Sequence, residues 1–200
     1  MEGIIDVGVL VSGSGSNLQA LIDSPDLVAG IRVVVADRPG IKALDRAQQA
    51  GIPTTVLPWD DFGSRHEFSK AVADTVEAAG AKLMVLAGFM RILSAEAVNR
   101  FPNRILNIHP SLLPAFPGAN AVEQALAHGV KVTGVTIHLV DEEVDHGLII
   151  AQRAVPVLPG DDVAALHARI QVEEHDLYPR VVRAFMAGEI TVVGGEVIWR

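Results

Sequence analysis

The sequence predicts an α/β protein with a Rossmann-like architecture. In it, a mostly parallel central sheet turns mixed toward its C-terminal part and carries helices on both faces. Short apolar runs rich in β-branched residues alternate with segments whose apolar residues fall at helical spacing. The connections are too long for hairpins until the last two strands of the sheet, which favours parallel pairing with right-handed crossovers. Half of the 200 residues are hydrophobic and no linker or repeat divides the chain, so one domain over residues 1–200 is predicted.

The first half of the chain alternates strands with helices. Apolar runs predict strands at residues 7–11, 31–36, 54–57 and 83–87. The last of these runs is entirely apolar, which indicates a strand covered on both faces. Residues at helical spacing predict helices that begin before Leu18 and then at 41–50, 64–79 and 94–100.

The second half begins with a strand at residues 104–109, which Pro110 ends. A helix is predicted at 121–128. Two strands follow at 131–140 and 148–157, and their short connection predicts an antiparallel hairpin. This hairpin is the reason to expect a mixed sheet.

A long helix and a small hairpin complete the predicted elements. Asp161 or Asp162 caps the helix, and its buried face is marked by Val163, Leu166, Ile170 and Leu177. The tail, residues 190–200, predicts a hairpin about Gly194 and Gly195.

Composition and charge restrict the classes of function. The chain has no cysteine, which excludes disulfides and cysteine-based metal centres. Its formal net charge is −8 and no run is rich in Lys and Arg, which disfavours binding to nucleic acid. The first residues lack the pattern of a signal peptide, and no apolar run is long enough for a membrane span. We therefore expect a cytoplasmic protein, a monomer or a homodimer, that acts on small molecules.

Residues 12–17, Ser-Gly-Ser-Gly-Ser-Asn, form a glycine-rich turn between the first strand and its helix. Backbone N–H groups and the helix dipole converge at such a turn and favour an anion. The dinucleotide fingerprint fails because Leu18 stands where a third glycine is required, and a Walker loop fails because no Gly-Lys-Ser/Thr occurs. The alternative is a turn that needs glycine for its geometry alone. The side-chain donors of Ser16 and Asn17 favour a monophosphate site.

The segment 107–114, Asn-Ile-His-Pro-Ser-Leu-Leu-Pro, is a candidate catalytic site. Asn107 and His109 are two residues apart on a strand and therefore point to the same face, near the end where open α/β sheets bind ligands. Pro110 and Pro114 restrict the backbone of the loop that follows. A histidine at a strand end is more often structural when taken alone. A packing role does not, however, require this whole string.

Residues 141–147, Asp-Glu-Glu-Val-Asp-His-Gly, form an acidic loop. Charge runs are usually solvent-exposed turns, and we interpret Glu142 and Glu143 in that way. Asp145 differs because apolar residues bracket it and would draw it toward the core. A carboxylate near an imidazole favours the imidazolium and orients the ring, one ingredient of general acid–base catalysis. The sequence alone leaves open whether Asp145 meets His109.

Four stretches resemble the folate-dependent formyltransferases, and among them the phosphoribosylglycinamide formyltransferases. They are residues 11–23, 87–93, 107–114 and 134–147, in the order of that family. The resemblance implies a single-domain formyltransferase fold, with a phosphate-binding half over residues 1–100 and a catalytic and folate-binding half over residues 101–200. It also implies transfer of the formyl group of 10-formyltetrahydrofolate, a co-substrate, to the amine of glycinamide ribonucleotide in de novo purine biosynthesis.

The resemblance further implies roles for individual residues. The catalytic residues are Asn107, His109 and Asp145. The ribonucleotide would contact Gly15, Ser16, Asn17, Gln171 and Glu174. The formyl folate would contact Arg65, Met90, Arg91, Ile92, Leu93, Asn107, Val140, Asp141 and Asp145.

Two residues depart from the usual pattern of the family. His146 stands where Thr or Gly is usual, and Leu148 stands where Pro is common. We expect His146 to face solvent. His138 lies on a strand near the site and is expected to be structural, positioning the acidic loop. The other histidines have no ligand spacing, so no metal site is predicted.

Three alternatives are less favoured. A formyltetrahydrofolate hydrolase would use the same three catalytic residues with water as acceptor, but would lack the phosphate turn and carry a further N-terminal domain, for which we expect no room. A methionyl-tRNA formyltransferase would need a basic C-terminal domain, and the tail after Met186 is too short for one. A non-catalytic nucleotide-binding module would leave Asn107, His109 and Asp145 unexplained.

Overall fold

A seven-stranded sheet runs through the computed structural model, which describes residues 5–200. The strands follow the chain as β1 (Val7–Val11), β2 (Ile31–Ala36), β3 (Thr54–Val56), β4 (Leu83–Leu86), β5 (Ile105–His109), β6 (Val132–Leu139) and β7 (Ile149–Pro156). Their order across the sheet is β3-β2-β1-β4-β5-β6-β7. A separate hairpin consists of β8 (Ile190–Val193) and β9 (Glu196–Trp199).

The helices match the predicted ones closely, and two short elements were not predicted. The α-helices are α1 (Ser16–Ile22), α2 (Pro25–Val28), α3 (Lys42–Gln49), α4 (Arg65–Ala78), α5 (Ala95–Arg100), α6 (Ala121–His128) and α7 (Val163–Met186). The two additional elements are α2 and a turn of 3₁₀ helix at Trp59–Asp61. Both are about one turn long, which is too short for an apolar period to be visible.

The sheet is parallel from β3 to β5 and antiparallel beyond. β1, β2, β3, β4 and β5 pair in parallel, whereas β6 runs antiparallel to both β5 and β7. The prediction of a mostly parallel sheet that turns mixed is therefore confirmed. The antiparallel step beside β5 places β6 side chains directly opposite those of the candidate catalytic strand.

Buried apolar side chains cover both faces of the sheet. On one face, α1, α2, α3, α6 and α7 pack against residues such as Val9 and Leu106. On the other face, α4 and α5 pack against residues such as Leu10 and Ile105. Neighbouring residues of one strand belong to opposite cores because strand side chains alternate. The prediction of helices on both faces is confirmed.

The long helix α7 differs from its prediction in one residue. Asp162 caps it and accepts the N–H of Ala165 at 2.7 Å, whereas Asp161 pairs with Arg169. Val163 is exposed, so its predicted place on the buried face is wrong. The buried stripe starts one turn later and includes Leu166, Ile170, Glu174 and Tyr178. Within residues 5–200, no helix is both long enough and apolar enough to cross a membrane.

Tyr178 fastens α7 to the centre of the sheet. Its hydroxyl lies 2.9 Å from the carbonyl oxygen of Leu86 and 3.1 Å from that of Leu106. The side chain is fully buried, and burial raises the pKa of the phenol well above its ordinary value. One hydroxyl thus serves two carbonyl groups, on β4 and on β5.

Replacing Tyr178 by Phe should lower the free energy of unfolding by about 1–2 kcal/mol, because the ring stays packed while the buried carbonyls of Leu86 and Leu106 lose the single hydroxyl proton that they share. Urea unfolding of both proteins measures the difference. An unchanged midpoint and slope would show that this hydroxyl does not stabilise the fold.

Candidate active site

β5 presents Asn107 and His109 on one face of the sheet. Its neighbour β6 places His138 opposite Asn107 and Thr136 opposite His109. Opposite residues of an antiparallel pair share a face, and Asn107 Nδ2 is 3.1 Å from His138 Nε2. Both histidines are buried and Asn107 is half-buried. The antiparallel pairing therefore adds a second imidazole to the predicted pair.

The acidic loop brings Asp145 to these strands. Asp145 Oδ2 lies 3.3 Å from His109 Nδ1 and accepts the N–H of Gly118 at 2.7 Å. Its other oxygen, Oδ1, lies 3.4 Å from Asn107 Nδ2 and 3.5 Å from His138 Nε2. The three residues predicted to be catalytic thus meet in one cluster. Glu142 and Glu143 of the same loop are exposed, as expected.

Asp145 is held as a carboxylate by its neighbours. Burial by itself would raise the pKa of this carboxyl group, but the hydrogen bond with His138, the Gly118 N–H and the charge of His109 together hold the pKa below its ordinary value. Its backbone φ is 53°, in the left-handed region that L residues seldom adopt.

His138 fixes the orientation of the amide of Asn107. Its Nδ1 is 2.8 Å from the carbonyl oxygen of Leu139, which can only accept, so Nδ1 carries a proton. Nε2 then accepts an N–H of Asn107 when the ring is neutral, and donates to Asp145 Oδ1, 3.5 Å away, when the ring is protonated. His138 therefore contacts both Asn107 and Asp145. It was expected only to position the acidic loop, but it lies within the cluster itself.

His109 makes a second contact on its other ring nitrogen. Nε2 lies 2.8 Å from the carbonyl oxygen of Phe116, in the loop that follows β5. Ser111 stabilises this loop, since its hydroxyl donates to the carbonyl of Ala115 at 2.5 Å. Both nitrogens of His109 are engaged in this conformation. A substrate oxygen would have to replace the Phe116 carbonyl to receive a hydrogen bond from Nε2.

The glycine-rich turn ends at Gly15, whose φ is 70°. A Cβ at this position would lie 2.7 Å from the Cβ of Ala43, so both conformation and space require glycine. The first hydrogen bond of α1 runs from Gln19 N–H to the Gly15 carbonyl. The N–H groups of residues 16–18 precede that bond and are the ones that a helix leaves for an external acceptor.

Asn17 and Glu174 join the turn to α7. Asn17 Nδ2 donates to Glu174 Oε2 at 3.1 Å, and both residues are buried. Burial raises the pKa of the Glu174 carboxyl, and the Asn17 hydrogen bond and nearby histidines offset only part of that effect. The Oδ1 atom of Asn17 is buried without a partner among the described residues. Gln171, one turn earlier on α7, is half-buried.

The candidate folate segment, residues 87–94, connects β4 to α5. Met90 is 72% exposed and Ile92 51%, whereas Leu93 is buried. Two large apolar side chains thus face solvent beside the glycine-rich turn, and apolar surface of this kind suits a ligand ring. The N–H of Met90 donates to Ser12 Oγ at 2.8 Å, which fastens the segment to the turn.

The remaining folate candidates lie at the acidic loop and at α4. The N–H of Val140 donates to the Ile105 carbonyl at 2.9 Å and fixes the start of the loop. Asp141 Oδ2 lies 2.8 Å from Nδ1 of His146, which is exposed as expected, and this hydrogen bond is the main cause that raises the pKa of His146. Arg65 is exposed at the first residue of α4, and within residues 5–200 it forms no hydrogen bond to the other candidates.

The fold brings several further groups to these sites that were not predicted from sequence. Arg46 of α3 donates to the Ser14 carbonyl at 2.9 Å and so places a cation beside the glycine-rich turn. The carbonyl of Phe116 and the N–H of Gly118 are backbone groups, which carry no sequence signal. The position of His138 could have been found from the alternation of β6, but its register against β5 was needed to place it opposite Asn107.

An open α/β sheet with an amide, an imidazole and a carboxylate in contact at the ends of its strands is typical of enzymes that use general acid–base chemistry. Comparison with known proteins specifies the family. Residues 6–182 match the family model described as formyl transferase, and the chain belongs to this family.

Individual relatives agree with this result. The chain is 46% identical over 188 residues to a phosphoribosylglycinamide formyltransferase of Mycobacterium tuberculosis, covering 93% of this chain and 87% of the relative. The crystal structure of glycinamide ribonucleotide transformylase 1 from Symbiobacterium toebii is 46% identical, with a TM-score of 0.95 over 100% of this chain and 95% of that one. The Gallus gallus relative, trifunctional purine biosynthetic protein adenosine-3, is 46% identical over 98% of this chain. This chain spans only 20% of that relative's length.

The raised pKa of Glu174 makes the stability of the protein depend on pH. Its pKa is raised in the folded protein, so its contribution to stability is complete below the ordinary pKa of a carboxyl group and is lost as the pH rises through the folded-state pKa. Glu174→Gln cannot ionise and should therefore have a higher melting temperature than the parent protein near pH 8.

Thermal unfolding of both proteins between about pH 4 and pH 8 measures this difference, which should shrink toward the acidic end. Glu173→Gln, at the neighbouring half-buried carboxylate that pairs with Arg153, is the control. A difference in melting temperature that stays constant with pH would contradict the raised pKa of Glu174.

Proposed function

We propose that the chain transfers the formyl group of 10-formyltetrahydrofolate to the amine of glycinamide ribonucleotide, giving formylglycinamide ribonucleotide and tetrahydrofolate. The observation that carries this proposal is the cluster of Asn107, His109 and Asp145 in a member of the formyl transferase family. Relatives named phosphoribosylglycinamide formyltransferase match most of the chain. A cytoplasmic location, which the lack of cysteine fits, is part of the same proposal.

The proposed reaction begins with attack of the substrate amine on the formyl carbon. A C–N bond forms and negative charge develops on the formyl oxygen. Hydrogen bonds from Asn107 and a protonated His109 stabilise this oxyanion, each worth about 2.7–4 kcal/mol in comparable acyl-transfer sites. A proton then moves from the attacking nitrogen to N10 of the folate, directly or through water beside Asp145. The bond between the formyl carbon and N10 breaks and releases tetrahydrofolate.

Asn107 and His109 must exchange hydrogen-bond partners of the free protein for the formyl oxygen in this reaction. The amide of Asn107 faces His138 and Asp145, and His109 faces Asp145 and the Phe116 carbonyl. Three of the four contacts of Asp145 are 3.3–3.5 Å long, which is long for charged hydrogen bonds. Catalytic hydrogen bonds are often loose before the substrate arrives. The formyl oxygen would receive hydrogen bonds from Asn107 Nδ2, which now faces Asp145, and from His109 Nε2, which now faces the Phe116 carbonyl.

The ribonucleotide would lie across the glycine-rich turn and α7. Its phosphate would accept from the N–H groups at the start of α1 and from the side chains of Ser16 and Asn17. Gly15 has no side chain to obstruct that approach. Glu174 and Gln171 would contact the ribose or the amine, and the buried, unpartnered Oδ1 of Asn17 supports a ligand donor at that place.

The formyl folate would lie between residues 87–94 and the acidic loop. Met90 and Ile92 offer apolar surface to its ring, and the backbone of Arg91, Leu93, Val140 and Asp141 offers polar groups. Arg65 would pair with the acidic tail of the folate. We propose one domain in which each ligand draws on both halves of the chain, since the folate segment precedes residue 100 and Glu174 follows it.

The experiment that tests the proposal follows the loss of 10-formyltetrahydrofolate with and without glycinamide ribonucleotide. We expect consumption only in the presence of the ribonucleotide, with one equivalent of tetrahydrofolate formed. Equal consumption without it would establish a hydrolase. Binding of the ribonucleotide without any turnover would favour a non-catalytic module.

His109→Ala and Asp145→Asn should each lower kcat by a factor of at least about 100, because each removes a group that acts in the transition state. Circular dichroism and melting temperature show whether the variants fold. Asp74→Asn, at an exposed carboxylate of α4 that pairs with Lys70 and Arg100, is the control and should leave kcat unchanged. Near-normal turnover in either of the first two variants contradicts their assigned roles.

A further inference from the structure

Asp37 is a buried carboxylate that the proposed reaction does not use. It directly follows β2, and its side chain has no exposed surface. Its backbone N–H reaches the Val11 carbonyl at 3.4 Å, and its own carbonyl accepts the N–H of Trp59 at 3.0 Å. Asp37 thus lies at the carboxyl ends of β1 and β2, immediately beside the glycine-rich turn.

Two arginines surround this carboxylate. The neighbouring Arg38 donates twice, from Nε to Oδ1 at 3.1 Å and from Nη2 to Oδ2 at 3.0 Å, but its side chain is half exposed. Arg91 comes from the candidate folate segment and donates from Nε to Oδ2 at 2.8 Å. The guanidinium of Arg91 also lies over the ring of Trp59, 4.8 Å from its centroid. Arg91 is therefore held from two sides.

Ser12, the first residue of the glycine-rich turn, holds the folate segment next to Arg91. The hydroxyl of Ser12 accepts the N–H of Met90 at 2.8 Å. Burial alone would raise the pKa of Asp37, but the hydrogen bonds from Arg38 and Arg91 hold it below its ordinary value. Asp37 is thus a carboxylate that binds Arg91 of the folate segment directly.

The folate segment depends on such contacts because it has no regular secondary structure. Residues 87–94 lie between β4 and α5, and Met90 and Ile92 extend into solvent. At the other end of the segment, the N–H of Ser94 donates to Ser69 Oγ at 2.9 Å. Exposed apolar side chains alone would not define one backbone conformation between these two points.

We propose that Asp37 is a positioning residue for the formyl donor, and that through Arg91 it holds the folate segment in the conformation that receives the folate ring. This inference rests on the proposed function. Asp37 touches neither substrate, and its effect should appear in the affinity for the folate more than in the chemical step. The alternative is an ion pair that contributes to stability alone.

The test compares Asp37→Asn with the parent protein in the formyl transfer assay. Asn has the same shape but lacks the charge and one acceptor oxygen. We expect KM for 10-formyltetrahydrofolate to rise about tenfold, KM for the ribonucleotide to rise less, and kcat to change by less than about threefold. Calorimetry with tetrahydrofolate should show the same loss of affinity without turnover.

Asp161→Asn is the matched control. Asp161 also receives two hydrogen bonds from an arginine, Arg169, and its side chain is nearly buried. Its partners lie in α7 and in the loop before α7, away from the residues proposed to bind the folate. We expect Asp161→Asn to lower the melting temperature with KM for the folate unchanged.

Arg91→Gln tests the same ion pair from its exposed side and carries the experiment if Asp37→Asn does not fold. It should also raise KM for the folate. Unchanged KM and unchanged tetrahydrofolate affinity in the folded variants would overturn the role of Asp37 while leaving the proposed function in place. Absence of formyl transfer by the parent protein would instead contradict the proposed function, and calorimetry would still decide whether Asp37 affects folate binding.

Discussion

The half-buried carboxylate of Asp145 is the interaction on which the arrangement of the candidate site depends. It connects β5 through His109 and Asn107, β6 through His138, and the loop after β5 through the N–H of Gly118. A buried charge is stable only when donors surround it. The donors come from β5, β6 and the loop after β5, so the carboxylate holds the acidic loop against all three segments.

Buried carboxylates recur around this site with different partners. Asp145 faces imidazoles and an N–H, Asp37 faces two arginines, and Glu174 faces one amide. The first two have lowered pKa values because charged or strong donors outweigh burial, whereas the pKa of Glu174 is raised because the Asn17 amide and nearby histidines offset only part of the effect of burial. Glu174 is therefore the one of the three whose burial opposes folding at neutral pH. A buried carboxyl group such as Glu174, which lowers stability at neutral pH, is typical of a ligand-binding site.

The order of strands and helices could be predicted from sequence because local patterns determine it. Apolar runs such as 83–87 and the helical spacing of Phe68, Val72 and Val76 do not depend on distant residues. Val163 was placed wrongly because its apolar side chain at the start of a helix does not indicate whether the first turn packs against the sheet. The missed α2 has only one turn, and its Ser24-Pro25 start was its only local signal.

The sequence by itself determined the element order, the glycine-rich turn and the pairing of Asn107 with His109 on one face, because each follows from spacing along a single strand or turn. Only the tertiary structure decided that Asp145 meets His109, that His138 lies opposite Asn107, and that Arg91 reaches Asp37. These contacts join residues 31 to 54 positions apart, and the register between strands and the path of loops decide them. The hydrogen bonds of Phe116 and Gly118 involve backbone atoms, so the identity of these residues could not predict them.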